Sequence, residues 1–107
     1  METLEALYQT VLDRKSNKDE GSYTCYLFDK GLDKILKKCG EECSETIIAA
    51  KNGDNNELVL EISDLLYHLT VLMVNQGVTL DELYAELDKR SNKTGNLKTF
   101  HQVDKNS

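Results

Sequence analysis

Two acidic spacings stand out in the chain: Glu42-x-x-Glu45, with Glu41 beside it, and Glu61-x-x-Asp64. At about 100° per helical residue, positions 41, 42 and 45 fall within an arc of roughly 100°, and 61 and 64 lie about 60° apart. Each set therefore shares one face of its helix. Carboxylates gathered in one small volume raise each other's pKa and oppose ionisation, so such a cluster calls for a cation. All-oxygen ligands favour a hard ion. Mg²⁺, with Mn²⁺ as a substitute, binds through a few carboxylates and keeps positions for water and phosphate oxygens. A site of this kind bridges phosphate oxygens and generates a nucleophilic water for hydrolysis. Acidic residues three or four apart also decorate ordinary solvated helix faces. Glu61 and Asp64, however, interrupt the most apolar stretch of the chain, where a charge is costly unless paired or metal-bound.

Other side chains fall near these carboxylates by the same arithmetic. Lys38 projects to the side of Glu42 and Glu45, while Lys37 points about 100° away, which makes Lys38 the better phosphate contact. Its alternative is an i, i+4 ion pair with Glu42, worth about 0.2–0.5 kcal/mol. His68 follows Glu61 by seven residues and Asp64 by four, aligned with the carboxylates rather than the leucines. It is suited to orienting a ligand, contacting phosphate or moving a proton, and equally to a structural hydrogen bond. Its neighbour Tyr67 is assigned to the core or a dimer interface. Ser22, Tyr23 and Thr24 can cap a helix and also present backbone N–H groups to phosphate. Arg90, with Asn92 and Lys93, forms either a positive flap or simply a cation-rich helix end.

These residues need helices to position them, and the pattern supplies five. Leu4, Leu7, Tyr8, Val11 and Leu12 recur at helical spacing before the polar stretch 16–21. Gly31 divides a short helix near 23–29 from a longer one near 32–52, whose expected core stripe is Leu32, Ile35, Leu36, Cys39, Cys43, Ile47 and Ala50. Gly53 and the residues after it read as a stop followed by an N-cap, so the next helix, about 57–76, should pack antiparallel to the last. Leu58, Ile62, Leu65, Leu69, Leu72 and Gln76 form its expected stripe. Gly77 ends it. Thr79 and Glu82 make a capping box for a last helix to about Arg90. No segment alternates with the period of a strand. The expected class is all-α, an antiparallel bundle in one domain over 1–90 with a polar tail at 91–107.

A chain of 107 residues has room for one modest core, which a partner subunit would supplement; dimerisation is expected. Thirteen basic and nineteen acidic residues give a net charge of −6, which disfavours a nucleic-acid-coating role. The amphipathic N-terminus lacks a signal peptide's apolar region, and no run of eighteen apolar residues suggests a membrane span. Three cysteines do not make a disulfide framework and suit a reducing compartment, so the cytosol is the expected location.

Residues 21–90 resemble the phosphoribosyl-ATP pyrophosphatase family, within the MazG-like all-α nucleotide pyrophosphatases. Glu42, Glu45, Glu61 and Asp64 occupy the E-x-x-E and E-x-x-D places of the superfamily. The narrower resemblance rests on Ser22-Tyr23-Thr24, on KKxGEE at Lys37 to Glu42, on Ala49 to Lys51, and on DLLYH at Asp64 to His68. It implies Mg²⁺-dependent hydrolysis of phosphoribosyl-ATP to phosphoribosyl-AMP and pyrophosphate, in histidine biosynthesis, by a homodimer whose helices form a bundle. Cys39 and Cys43 stand where the family more often has a small aliphatic residue. Without further Cys or a nearby His pattern they do not make a zinc site. Two rival readings share these residues: a related enzyme acting on ordinary or damaged nucleoside triphosphates, and a non-catalytic helical dimerisation module.

Overall fold

A computed structural model describes residues 2–92, and within them the chain forms five helices and no strand. Helix α1 spans Glu2–Ser16, α2 Tyr23–Lys30, α3 Leu32–Lys51, α4 Asn55–Gln76 and α5 Leu80–Ser91. The expected all-α class and helix order hold. Lys93 and most of the expected tail lie outside the described residues.

Local chemistry accounts for the boundaries. The Ser22 hydroxyl accepts from Cys25 N–H at 3.2 Å and starts α2. The Asp54 carboxylate accepts from Glu57 N–H at 3.0 Å and starts α4. Thr79 and Glu82 form the expected capping box on α5, satisfying two otherwise orphaned N–H groups. Gly77, at φ 78°, ends α4 in the left-handed conformation and donates to carbonyls of the last turn, which glycine adopts without a Cβ penalty.

Helices α3 and α4 form an antiparallel hairpin, with α1 and α2 laid across it. The core draws on all four: Val11, Leu27, Ile35, Cys39, Val71 and Val74, with Tyr67 and Leu72 among the partly buried residues packed against them. Helix α5 is attached more lightly, through buried Leu80 and a hydrogen bond from the Tyr84 hydroxyl to Glu5 at 3.2 Å.

The inward faces of the hairpin match the expected stripes only in part: Ile35 and Cys39 are buried as expected, and the rest of the buried set differs. On α3 the buried residues are Ile35, Cys39, Glu42 and Ala49, whereas Leu32, Leu36, Cys43, Ile47 and Ala50 are exposed. On α4, His68, Thr70, Val71 and Val74 are buried, while Ile62, Leu69 and Gln76 are exposed. Both helices are apolar on more than one side, and the chain packs on the sides that carry the polar residues. The leucine-rich sides face outward: Ile47 is 64% exposed, Val59 63% and Leu66 49%.

Candidate metal centre and its surroundings

Glu42 lies in the middle of the buried face of α3 and is only 6% exposed. Glu45 lies one turn later, and Glu61 meets both from the facing turn of α4. Carboxylate oxygens of Glu42, Glu45 and Glu61 all lie within 4.8 Å of one another. The hairpin thus brings together three of the five carboxylates singled out from the sequence. Glu42 Oε2 and Glu61 Oε1 are buried without any hydrogen-bond partner. Leaving such acceptors unsatisfied costs about 1–3 kcal/mol each, more when charged.

The electrostatics follow from this crowding. Burial pushes the Glu42 carboxyl above the usual range, and a shared hydrogen bond with Glu45, the charge of Glu45 and that of Asp64 add to the effect. The Glu61 carboxyl is pushed up to about 7, foremost by a hydrogen bond with Glu45, then by burial and the charge of Glu45. Three carboxylates within reach of one another, two of them with orphaned oxygens and suppressed ionisation, are a donor set that a hard divalent cation satisfies. The residues therefore fit a hard divalent cation.

Glu41 and Asp64 stand outside this trio. Glu41, about 100° round α3 from Glu42, is exposed and accepts from the Lys38 ammonium at 3.1 Å. That pairing holds the Glu41 carboxyl below its usual range and raises the pKa of Lys38. Lys38 is thus paired with Glu41 rather than with Glu42. Asp64 is exposed, and its carboxylate reaches the trio only through its charge on Glu42.

His68 is 5% exposed and bonded at both ring nitrogens. Nδ1 lies 2.7 Å from the Asp64 carbonyl and Nε2 3.0 Å from the Tyr23 hydroxyl. A carbonyl only accepts, so Nδ1 carries the proton and the Tyr23 hydroxyl donates to Nε2. The Thr24 hydroxyl bonds Tyr67, fastening α2 to α4 a second time. Ser22 caps, Tyr23 and Thr24 anchor, and the three together fix the start of α2 beside the trio. Burial raises the Tyr23 phenol's pKa, against the opposing charge of nearby Lys38. Arg90 donates to Glu86 at 3.0 Å along exposed α5.

The sequence reading did not single out Tyr26, Lys30 and Lys34. The Lys30 and Lys34 ammoniums lie 5.8 and 6.0 Å from the centre of the Tyr26 ring. Their four-residue spacing was the available signal, hidden by the break at Gly31.

Comparison with known proteins points to one family. The family model for phosphoribosyl-ATP pyrophosphohydrolase matches residues 4–91. A phosphoribosyl-ATP pyrophosphatase of Limosilactobacillus fermentum is 58% identical over 103 residues, covering 96% of this chain and 97% of the relative. One from Clostridium novyi is 52% identical over 98 residues, covering 92% and 89%. The histidine biosynthesis bifunctional protein HisIE of Caldanaerobacter subterraneus is 54% identical over 93 residues, which span 87% of this chain and 45% of that longer protein. With the family model matching residues 4–91 and relatives more than half identical over nearly the whole chain, the chain belongs to the phosphoribosyl-ATP pyrophosphohydrolase family.

Proposed function

We propose that this chain hydrolyses phosphoribosyl-ATP to phosphoribosyl-AMP and pyrophosphate, with Glu42, Glu45 and Glu61 as the core of its Mg²⁺ site. The observation that carries the metal assignment is the pair of buried, partnerless oxygens on Glu42 and Glu61 within a three-carboxylate cluster. Family membership supports a hydrolase acting on a phosphoanhydride, in histidine biosynthesis.

When bound, Mg²⁺ or a substituting Mn²⁺ neutralises phosphate charge and lowers the pKa of water. The protein's own groups then have distinct tasks. Glu42 and Glu45 from α3 and Glu61 from α4 would hold the cation between them, and Glu41 and Asp64 would add to the negative charge around it. Lys38, balanced between Glu41 and the open site, contacts a phosphate oxygen. Ser22, Tyr23 and Thr24 line the nucleotide's approach, and His68 holds the Tyr23 hydroxyl in place. Arg90, paired with Glu86 on α5, would add positive charge toward the substrate.

A second copy of this chain completes the molecule. The support is the outward leucine side of α4 and the cavity beside it, about 240 Å³, lined by Leu4, Leu66, Leu69, Leu72, Met73 and Leu80 among others. A small domain gains most from covering such a surface. The pyrophosphatase domain is read as residues 1–90, with α5 closing at Ser91. Three cysteines, all free, suit a reducing cytoplasm.

The decisive experiment is pyrophosphate release from phosphoribosyl-ATP, with Mg²⁺ present and after chelation, beside dCTP, dUTP and ATP. The expected result is metal-dependent release with preference for phosphoribosyl-ATP; a preference for a plain triphosphate would overturn the assignment.

A further inference from the structure

Phosphoribosyl-ATP has two anionic ends. The acidic trio and its cation account for the triphosphate, but the phosphomonoester of the phosphoribosyl group, absent from ATP, has been given no partner. In a chain of net charge −6, a place for it must be built from cations kept free of carboxylates.

Tyr26 supplies such a place. Its ring, 41% exposed, attracts the ammoniums of Lys30 and Lys34, the first from the end of α2 and the second from the first turn of α3. Each cation is attracted by the ring's negative face, which offsets part of their mutual repulsion. Among the described residues neither amine pairs with a carboxylate. Asp29, next to Lys30, is engaged by Lys18 at 3.2 Å. Two ammoniums drawn to one ring, neither in an ion pair although Lys34 also feels the charge of Glu41, are groups that a dianionic phosphomonoester neutralises, through charge-assisted hydrogen bonds.

The patch is also connected to the metal centre. The Tyr26 ring stacks on that of Tyr23, with centroids 6.0 Å apart and planes at 24°. Tyr23 in turn bonds His68 and stands near both Lys38 and Glu42. Along α3, Lys34 precedes Glu42 by eight residues, about 12 Å of helix axis. A nucleotide with its triphosphate at the trio extends its base and appended sugar phosphate away from it, and the Tyr23–Tyr26 surface leads to the lysine pair.

We propose that Lys30 and Lys34, gathered on Tyr26, bind the phosphomonoester of the phosphoribosyl group and so set the preference for phosphoribosyl-ATP over ATP. This rests on the function proposed above. The test is steady-state kinetics on the full chain with Mg²⁺, comparing wild type with Lys30→Gln/Lys34→Gln and with Lys51→Gln, which removes one lysine charge at the other end of α3, as a control. In the double variant the KM for phosphoribosyl-ATP rises about tenfold or more, as expected for lost charged hydrogen bonds, with kcat within about twofold. Competitive inhibition by ATP, which lacks the second phosphate, weakens far less. Lys51→Gln changes neither constant. An unchanged KM in the double variant, or equal weakening of ATP and phosphoribosyl-ATP, overturns the subsite while leaving the enzyme assignment standing. A wild-type chain inactive on phosphoribosyl-ATP overturns both.

Discussion

Without a cation, Glu61 keeps its proton up to about pH 7, because Glu45 accepts a hydrogen bond from the acid form and its charge opposes ionisation. An unfolded glutamate titrates near about 4.3, so between these values the folded chain binds more protons than the unfolded one. Stability from this group is therefore full below about pH 4.3 and is lost as pH rises through about 7. Melting of the chelated protein should show this: Tm falls from pH 5 to pH 8, and Glu61→Gln flattens that slope and raises Tm at pH 8. Saturating Mg²⁺ should restore the wild type at pH 8, since it binds the ionised carboxylates of the folded state. A slope that persists in Glu61→Gln would place its origin elsewhere. Asp64→Asn tests the exposed neighbour differently. It removes a charge that opposes ionisation of Glu42, so thermal stability is retained, while turnover should drop on the order of 10²-fold or more if Asp64 serves the reaction. Severe unfolding of that variant would mark Asp64 as structural.

Among the elements, α2 has the largest consequence for its length. Eight residues carry the Ser22 cap, the Tyr23 bond to His68, the Thr24 bond to Tyr67 and the Tyr26 ring. So short a helix is not stable alone; it is held by Leu27, which is 0% exposed within the core of α1, α3 and α4. Leu27→Ala should cost about 2–5 kcal/mol in urea unfolding. In the surviving folded fraction KM should rise more than for Val59→Ala, on exposed α4 surface, because the start of α2 lines the nucleotide's approach. Equal effects of the two substitutions on KM would separate α2 from substrate binding. Legibility also varied by element. Capping residues at 22, 54 and 79 announced their helices within a residue or two, since a cap depends only on its own next turn.

At the scale of the molecule, one chain leaves much apolar surface uncovered. Ile62, Leu66 and Leu69 run outward along α4, and Ile47, Ile48, Val59 and Leu60 surround the turn end of the hairpin. Among the described residues no helix is long and apolar enough to cross a membrane, so the leucine side of α4 is not explained by a span. Pairing with a second copy would bury it. Sedimentation velocity should give a dimer for the wild type and a monomer for Leu66→Glu/Leu69→Glu, whose new charges face the proposed interface. A dimer unchanged by both substitutions would move the interface off this face.

The order and approximate ends of the helices, and the presence of two acidic faces, followed from sequence because helical period and end chemistry are local properties. Which side of each amphipathic helix turned inward did not. The α3 residues 32, 36, 43, 47 and 50 form a more continuous apolar stripe than 35, 39 and 49, which Glu42 interrupts, and only the facing helix decides between them. The same choice placed Glu42 inside, left Glu41 to Lys38 and buried His68 between the Asp64 carbonyl and Tyr23. A rotation of about 100° per residue converts adjacent glutamates into a buried one and a solvated one. Contacts between residues 45 positions apart, such as Tyr23 with His68, have no local signature and come into being only when the helices pack.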